Sequence, residues 1–247
     1  MLPGWGGSAY LFSRNLSVLA AAGLRAIAID PIGLGGSEKP RDAKHYTLDA
    51  QCRYALETFD AIGLRSASLV GQSFGARIAL EMALRVPARI DRLMLIGGVG
   101  LGSVAFDPML SLFTALTPLA VAPSMLQPWV FRFVVDLVTG SEYVVTDEDV
   151  AQFFAPAFDP AFGAALYFLL EQMERKALSV DRLRQLTMPV RAIHGGRDRL
   201  VRIGTRAREW MGDRLLTIPG AGHLTNFEVP ALVNPILTEF FSRGEMA

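Results

Sequence analysis

Three short runs constrain the fold most. Arg25–Asp30, Ser66–Gly71 and Arg92–Gly97 are apolar through their interiors rather than alternating. A strand with one wet face alternates, whereas a strand covered on both faces does not. Helix-length stretches separate the runs. Residues 9–22 read as a helix stopped by Gly23. Residues 48–62 read as another, with Thr47 as N-cap, Asp49 in the first turn and Gly63 past the end. Residues 75–86 read as a third, ended by Pro87. Strands joined through helices pair in parallel and are covered on both sides. The expected class is α/β, a mostly parallel sheet flanked by helices.

The alternation stops over about 101–180, which is helical in character, rich in Phe, Leu and Pro, and has no clear strand run. It returns with Pro189–His194, a helix near 204–211, Arg214–Ile218 and a final helix over about 229–242. Pro230 suits the first turn of that helix, and Pro235 is expected to kink or interrupt it. Two segments, 1–100 and 181–247, therefore read as one core, and 101–180 as an insertion. No charge occurs between Asp107 and Arg132, so a membrane helix has to be weighed. A span needs about 20 predominantly apolar residues. Pro118, Pro123 and Pro128 punctuate the run, and a broken helical lid over an apolar pocket is the reading preferred.

Charge excludes several function classes. Lys+Arg and Asp+Glu balance at 24 each, so no basic surplus points to nucleic acid. A single cysteine, Cys52, gives no disulfide framework and no cysteine-based zinc site. The three histidines, His45, His194 and His223, are too far apart in sequence to suggest a local metal motif. The start of the chain has neither a basic segment nor a continuous apolar stretch of signal-peptide type, which leaves a cytoplasmic protein as the expectation.

Chemistry concentrates at three turns. Gly71-Gln72-Ser73-Phe74-Gly75 lies where a strand gives way to a helix. A sharp turn there exposes a serine hydroxyl at the carboxyl end of the sheet and requires small flanking residues. The Phe74 N–H, at the helix start, would face a developing oxyanion. Gly195-Gly196-Arg197-Asp198 follows a later strand. Its carboxylate could orient an imidazole, although an Asp in a loop equally well caps a helix. Pro219-Gly220-Ala221-Gly222-His223 follows the last strand, where a histidine alone would read as a surface residue. Order decides between these readings: serine, acid, histidine, each beyond a different strand, is the arrangement that makes Ser73 a nucleophile, His223 its base and Asp198 the orienting acid. Gly98-Val99-Gly100-Leu101-Gly102 lacks the third glycine of a dinucleotide fingerprint, and no G-K-[ST] phosphate loop occurs. His194 reads as a structural or pocket-lining residue rather than a second base.

With these turns, Pro3–Gly7 and Asp30–Ser37, the chain resembles the α/β-hydrolase superfamily almost from end to end. The resemblance implies a helical cap over about 101–180 and a second oxyanion donor in the Trp5 N–H. The family usually has histidine where this chain has Pro3. It also implies a sheet of eight strands, with the segment resembling Pro3–Gly7 following the third. The third strand would lie between about 25–30 and 66–71, and this chain starts almost at its end. A buried unpaired backbone group costs about 1–3 kcal/mol, against a net stability of about 5–15 kcal/mol. Either Met1 is not the natural start, or 25–30 shifts to pair directly with 66–71.

The expected reaction is hydrolysis of a carboxylic ester of a small apolar or aromatic substrate through an acyl-enzyme on Ser73, with no metal or organic cofactor. The alternatives on the same scaffold are C–C bond hydrolysis, amidase or perhydrolase chemistry, and a non-catalytic ligand-binding protein.

Overall fold

The computed structural model describes residues 1–105 and 127–242. The uncharged run expected to form the lid, and part of the expected cap, therefore lie largely outside the described residues.

The chain begins with a 3₁₀ turn, Ala9–Phe12, leading into α1 (Ser13–Ala21). Gly23 ends it with φ +84°. Helix α2 (Leu48–Ala61) starts where expected, because Thr47 Oγ1 accepts the Ala50 N–H at 3.2 Å. Next come β1 (Ala67–Gln72), α3 (Phe74–Arg85) and β2 (Ile90–Ile96). A two-residue strand, β3 (Ser103–Val104), precedes α4 (Pro128–Val138), α5 (Asp147–Phe154) and α6 (Phe162–Gln172). A one-turn helix α7 (Val180–Leu183) leads to β4 (Val190–Gly195), β5 (Val201–Arg202), α8 (Thr205–Met211) and β6 (Leu215–Ile218). The chain closes with α9 (Thr225–Glu228) and α10 (Pro230–Ser242).

The main sheet has the order β1-β2-β4-β6, all parallel. Its strands carry Leu69, Leu93, Leu95 and Ala192 into one apolar cluster and Val70, Met94, Ile96 and Ile193 into another. One cluster therefore lies on each face, as the non-alternating runs required. Helix α3 packs on β1 and β2 and is buried over most of its length. Helix α6 adds Phe162, Leu166 and Leu169 to the cluster that holds Phe74 and Leu2.

Several expectations are corrected. Residues 25–30 form no strand. Nor do they pair directly with 66–71. Met1 and Leu2 sit between the two: Leu2 N–H donates to the Val70 carbonyl at 2.8 Å, and Gln72 N–H to the Leu2 carbonyl at 3.0 Å. On the other side the Met1 amine donates to the Ile27 carbonyl at 2.7 Å, and Ile29 N–H to the Met1 carbonyl at 3.0 Å. These contacts leave only one isolated bridge, between Leu2 and Gly71, so no continuous ladder forms there. The region expected to lack strands contains β3, which pairs antiparallel with β5. Pro235 lies inside α10 without ending it. Among the described residues no single helix is long and apolar enough to cross a membrane.

Candidate active site

Ser73 stands between β1 and α3 with φ 52° and ψ −117°. Among the described residues it is the one non-glycine residue at positive φ. Such backbone costs on the order of 1–3 kcal/mol and persists only where its surroundings enforce it. Here Ser73 N–H donates to the Ile96 carbonyl of β2 at 2.9 Å, and the Ser73 carbonyl accepts from Ala76 and Val99. The flanking glycines are needed for space. A Cβ on Gly71 would fall 2.4 Å from the Ala76 Cα, and one on Gly75 2.1 Å from the Leu2 carbonyl oxygen.

The Gly4–Trp5 turn lies against this serine. A Cβ on Gly4 would stand 3.3 Å from Ser73 Oγ. Trp5 N–H donates to no backbone carbonyl among the described residues. Phe74 N–H opens α3, so it has no carbonyl one turn back. The Trp5 indole N–H is anchored on the Leu166 carbonyl of α6 at 2.9 Å, which fixes the turn's ring while leaving its backbone N–H free to donate.

Asp198 and His223 meet. His223 Nδ1 is 2.8 Å from Asp198 Oδ2. Asp198 Oδ1 accepts the N–H groups of Leu200 at 2.8 Å and Val201 at 3.0 Å. The carboxylate is wholly buried. Burial alone would raise its pKa, but the His223 imidazole beside it and these hydrogen bonds outweigh that and hold it below the usual carboxylate value. It is therefore an anion at neutral pH. His194 Nδ1 lies farther off, 3.7 Å from Asp198 Oδ2, and has no hydrogen-bond partner. Burial pushes the His194 pKa down against the pull of Asp198, so its imidazole is neutral at neutral pH.

Two residues that sequence reasoning missed hold the histidine loop. Gln72 Nε2, in the residue before the serine, donates to the His223 carbonyl at 3.1 Å. Glu228, at the end of α9, accepts Gly222 N–H at 2.7 Å and Leu224 N–H at 2.8 Å, one on either side of His223. The same carboxylate accepts Gly140 N–H at 2.7 Å, and His223 N–H donates to the Val138 carbonyl at 2.7 Å. The histidine backbone is thus clamped between Glu228 of α9 and the end of α4. The available signal was a lone acid between Phe227 and Val229, five positions past the histidine. Among the described residues no group of His, Cys, Asp and Glu could hold a metal ion.

Residues 1–142 match the family described as the alpha/beta hydrolase fold. A 2-hydroxymuconate semialdehyde hydrolase of Pseudomonas putida is 31% identical over 212 residues, covering 83% of this chain and 72% of that protein. Among solved structures, a meta-cleavage product hydrolase from Pseudomonas fluorescens IP01 superposes with a TM-score of 0.78 at 22% identity, over 99% of this chain and 90% of the other. The 2-hydroxy-6-oxo-6-phenylhexa-2,4-dienoate hydrolase of Rhodococcus sp. strain RHA1 gives 0.74 at 20% identity, over 98% and 89%. At these identities the two structural likenesses show the fold.

Proposed function

The chain belongs to the alpha/beta hydrolase family, and on that premise we propose that it hydrolyses a carbon–carbon bond in a 2-hydroxy-6-oxo-2,4-dienoate. Ser73 is the nucleophile, His223 the general base, Asp198 the acid that orients it, and the Trp5 and Phe74 N–H groups the oxyanion donors. The observation that carries the reading is the pairing of the relatives' substrates with this site. The compounds named for the relatives contain neither ester nor amide, so their hydrolysis has to break a carbon–carbon bond. This moves C–C hydrolysis ahead of the ester hydrolysis expected from sequence.

The chemistry balances as follows. Direct loss of C5 from C6 would leave a vinyl carbanion. Moving the 2-hydroxyl proton to C5 gives a 2-oxo-3-ene with a saturated C5. Ser73 Oγ then attacks the C6 carbonyl while His223 takes its proton, and the oxyanion at C6 is held by Trp5 and Phe74. When C5–C6 breaks, its electron pair is delocalised through C3–C4 to the C2 oxygen, which takes up a proton. The acyl group stays on Ser73 until a water, deprotonated by His223, releases it as a carboxylic acid. The products are that acid and 2-hydroxypenta-2,4-dienoate.

A side-by-side panel of 2-hydroxy-6-oxo-2,4-dienoates, aryl esters and anilides tests this. The expected result is a kcat/KM for a dienoate at least about 100-fold above that for any ester or amide, roughly 2.7 kcal/mol in transition-state binding. Ester turnover with intact dienoate would return the reaction to ester hydrolysis. Tight dienoate binding without turnover would make the chain a binding protein.

A further inference from the structure

The segment after α4 carries a buried carboxylate that the proposed reaction does not use. Asp149, in the first turn of α5, has a side chain 1% exposed. Its Oδ1 accepts the Tyr10 hydroxyl at 3.0 Å and Arg14 Nη2 at 3.1 Å. Its Oδ2 accepts the Tyr143 hydroxyl at 2.6 Å and the Thr146 N–H at 3.0 Å. Burial alone would raise its pKa, but the hydrogen bonds from Tyr143, Thr146 and Tyr10 outweigh burial and hold it below the usual carboxylate value. The capping box of α5 accounts for the Thr146 contact alone. The other three donors are side chains, and Tyr10 and Arg14 come from the start of the chain.

Arg14 carries the contact onward. Its Nη1 donates to the Phe227 carbonyl at 3.1 Å, and its guanidinium lies 4.1 Å from the centre of the Phe227 ring. Phe227 precedes Glu228, whose carboxylate holds the N–H groups on both sides of His223. Residues 138–140 meet the same loop from the other direction, through the Val138 carbonyl on His223 N–H and the Gly140 N–H on Glu228. Backbone lies against backbone there. A Cβ on Gly222 would collide with the Thr139 carbonyl carbon, and one on Gly140 with the Gly220 carbonyl oxygen. No side chain is interposed to give way, so a shift of residues 138–149 passes directly to the histidine loop.

We infer that Asp149 and Arg14 are positioning residues for His223: their ion pair locks residues 138–149 against α9, and that lock sets where the histidine stands relative to Asp198. The inference rests on the reading of His223 as the base for Ser73. Among the described residues Arg14 is the one ion-pair partner of Asp149. In Asp149→Asn the amide keeps the shape but has one acceptor oxygen, so either Arg14 or the Tyr143–Thr146 side loses its partner. In Arg14→Gln the tie to Phe227 is weakened and the buried carboxylate loses its counter-charge. Asp198, His194 and Glu228, which already bear on His223 or its loop, are left in place by both.

Asp198 is an acceptor, so the proton in its bond to His223 sits on Nδ1. Proton NMR on the full chain follows solvent exchange of that low-field proton beside the backbone amides of β2 and β4, and needs no turnover. The expected result in both variants is exchange of the His223 proton at least about tenfold faster, with the sheet amides unchanged. On whichever substrate the parent turns over, kcat should fall about tenfold while KM stays within about twofold. Should Asp149→Asn fail to fold, Arg14→Gln decides, because the Arg14 side chain is one-third exposed. An unchanged His223 proton in a folded variant would overturn the inference. Acceleration of the His223 proton and the sheet amides together would also overturn it, as a loss of stability alone. A parent that shows the proton but turns over no substrate would sink the proposed reaction, and the exchange rates would still decide the positioning.

Discussion

The two sides of β1 are built differently. On one side β1, β2, β4 and β6 are joined by continuous parallel ladders. On the other, residues 25–30 are tied to β1 only through Met1 and Leu2, a single isolated bridge at Leu2 and Gly71. The candidate site draws on both. Ser73, Asp198 and His223 hang from the ends of laddered strands, whereas the Gly4–Trp5 turn follows the two-residue tie directly. Preorganised donors stabilise charge well only if they stay in place. Ser73, Asp198 and His223 are thus held by the well-paired side, and the Trp5 N–H, proposed as an oxyanion donor, by the thin side.

Cutting the thin side should separate the two halves of the site. Leu2→Pro removes the N–H that bonds Val70. With Trp5 loosened, kcat should fall by about 10²–10³, the scale of a lost oxyanion donor. The His223–Asp198 hydrogen bond should persist, read as an unchanged low-field imidazole proton. Loss of that proton as well would mean the two sides are one cooperative unit.

Glu228→Gln probes the clamp on the well-paired side. An amide offers one acceptor oxygen where the carboxylate takes three N–H groups. Hydrogen bonds to charged groups are worth about 1.5–3 kcal/mol, so kcat should drop by roughly 10- to 100-fold while KM changes little. An equal fall in stability with unchanged kcat would make Glu228 structural only.

The smallest effect is in acid. Asp198 is held below the ordinary carboxylate value in the folded chain. Its stabilising contribution is therefore whole above the unfolded value of about 3.9 and is lost as pH falls through the lower, folded one. Asp198→Asn should flatten that part of the unfolding curve below about pH 4. An acid limb identical to the parent's would place the sensitivity elsewhere.

Much of this architecture was legible in the sequence because apolar runs and turn residues are local. Ser66–Gly71, Arg92–Gly97 and Thr47 as a cap each came within a residue or two of the observed elements. The meeting of Asp198 with His223 was legible only from their order beyond separate strands. Arg25–Asp30 misled because its own composition is strand-like, while strand formation depends on a neighbour lying elsewhere in the chain. Ser103–Val104 is too short to leave a pattern. Pro235 removes one helical N–H, and the burial of Val233, Leu237 and Phe240 holds α10 together across it. Glu228 was invisible because its partners are backbone N–H groups, which every sequence has and none advertises.

The central claim is that turns from three strands make Ser73 an activated nucleophile beside working oxyanion donors. Labelling with a fluorophosphonate, followed by mass spectrometry of the peptide that carries the adduct, tests it most directly. The account predicts one adduct, on Ser73, absent in Ser73→Ala. A chain folded by circular dichroism that takes no label, or takes it on another residue, would contradict it.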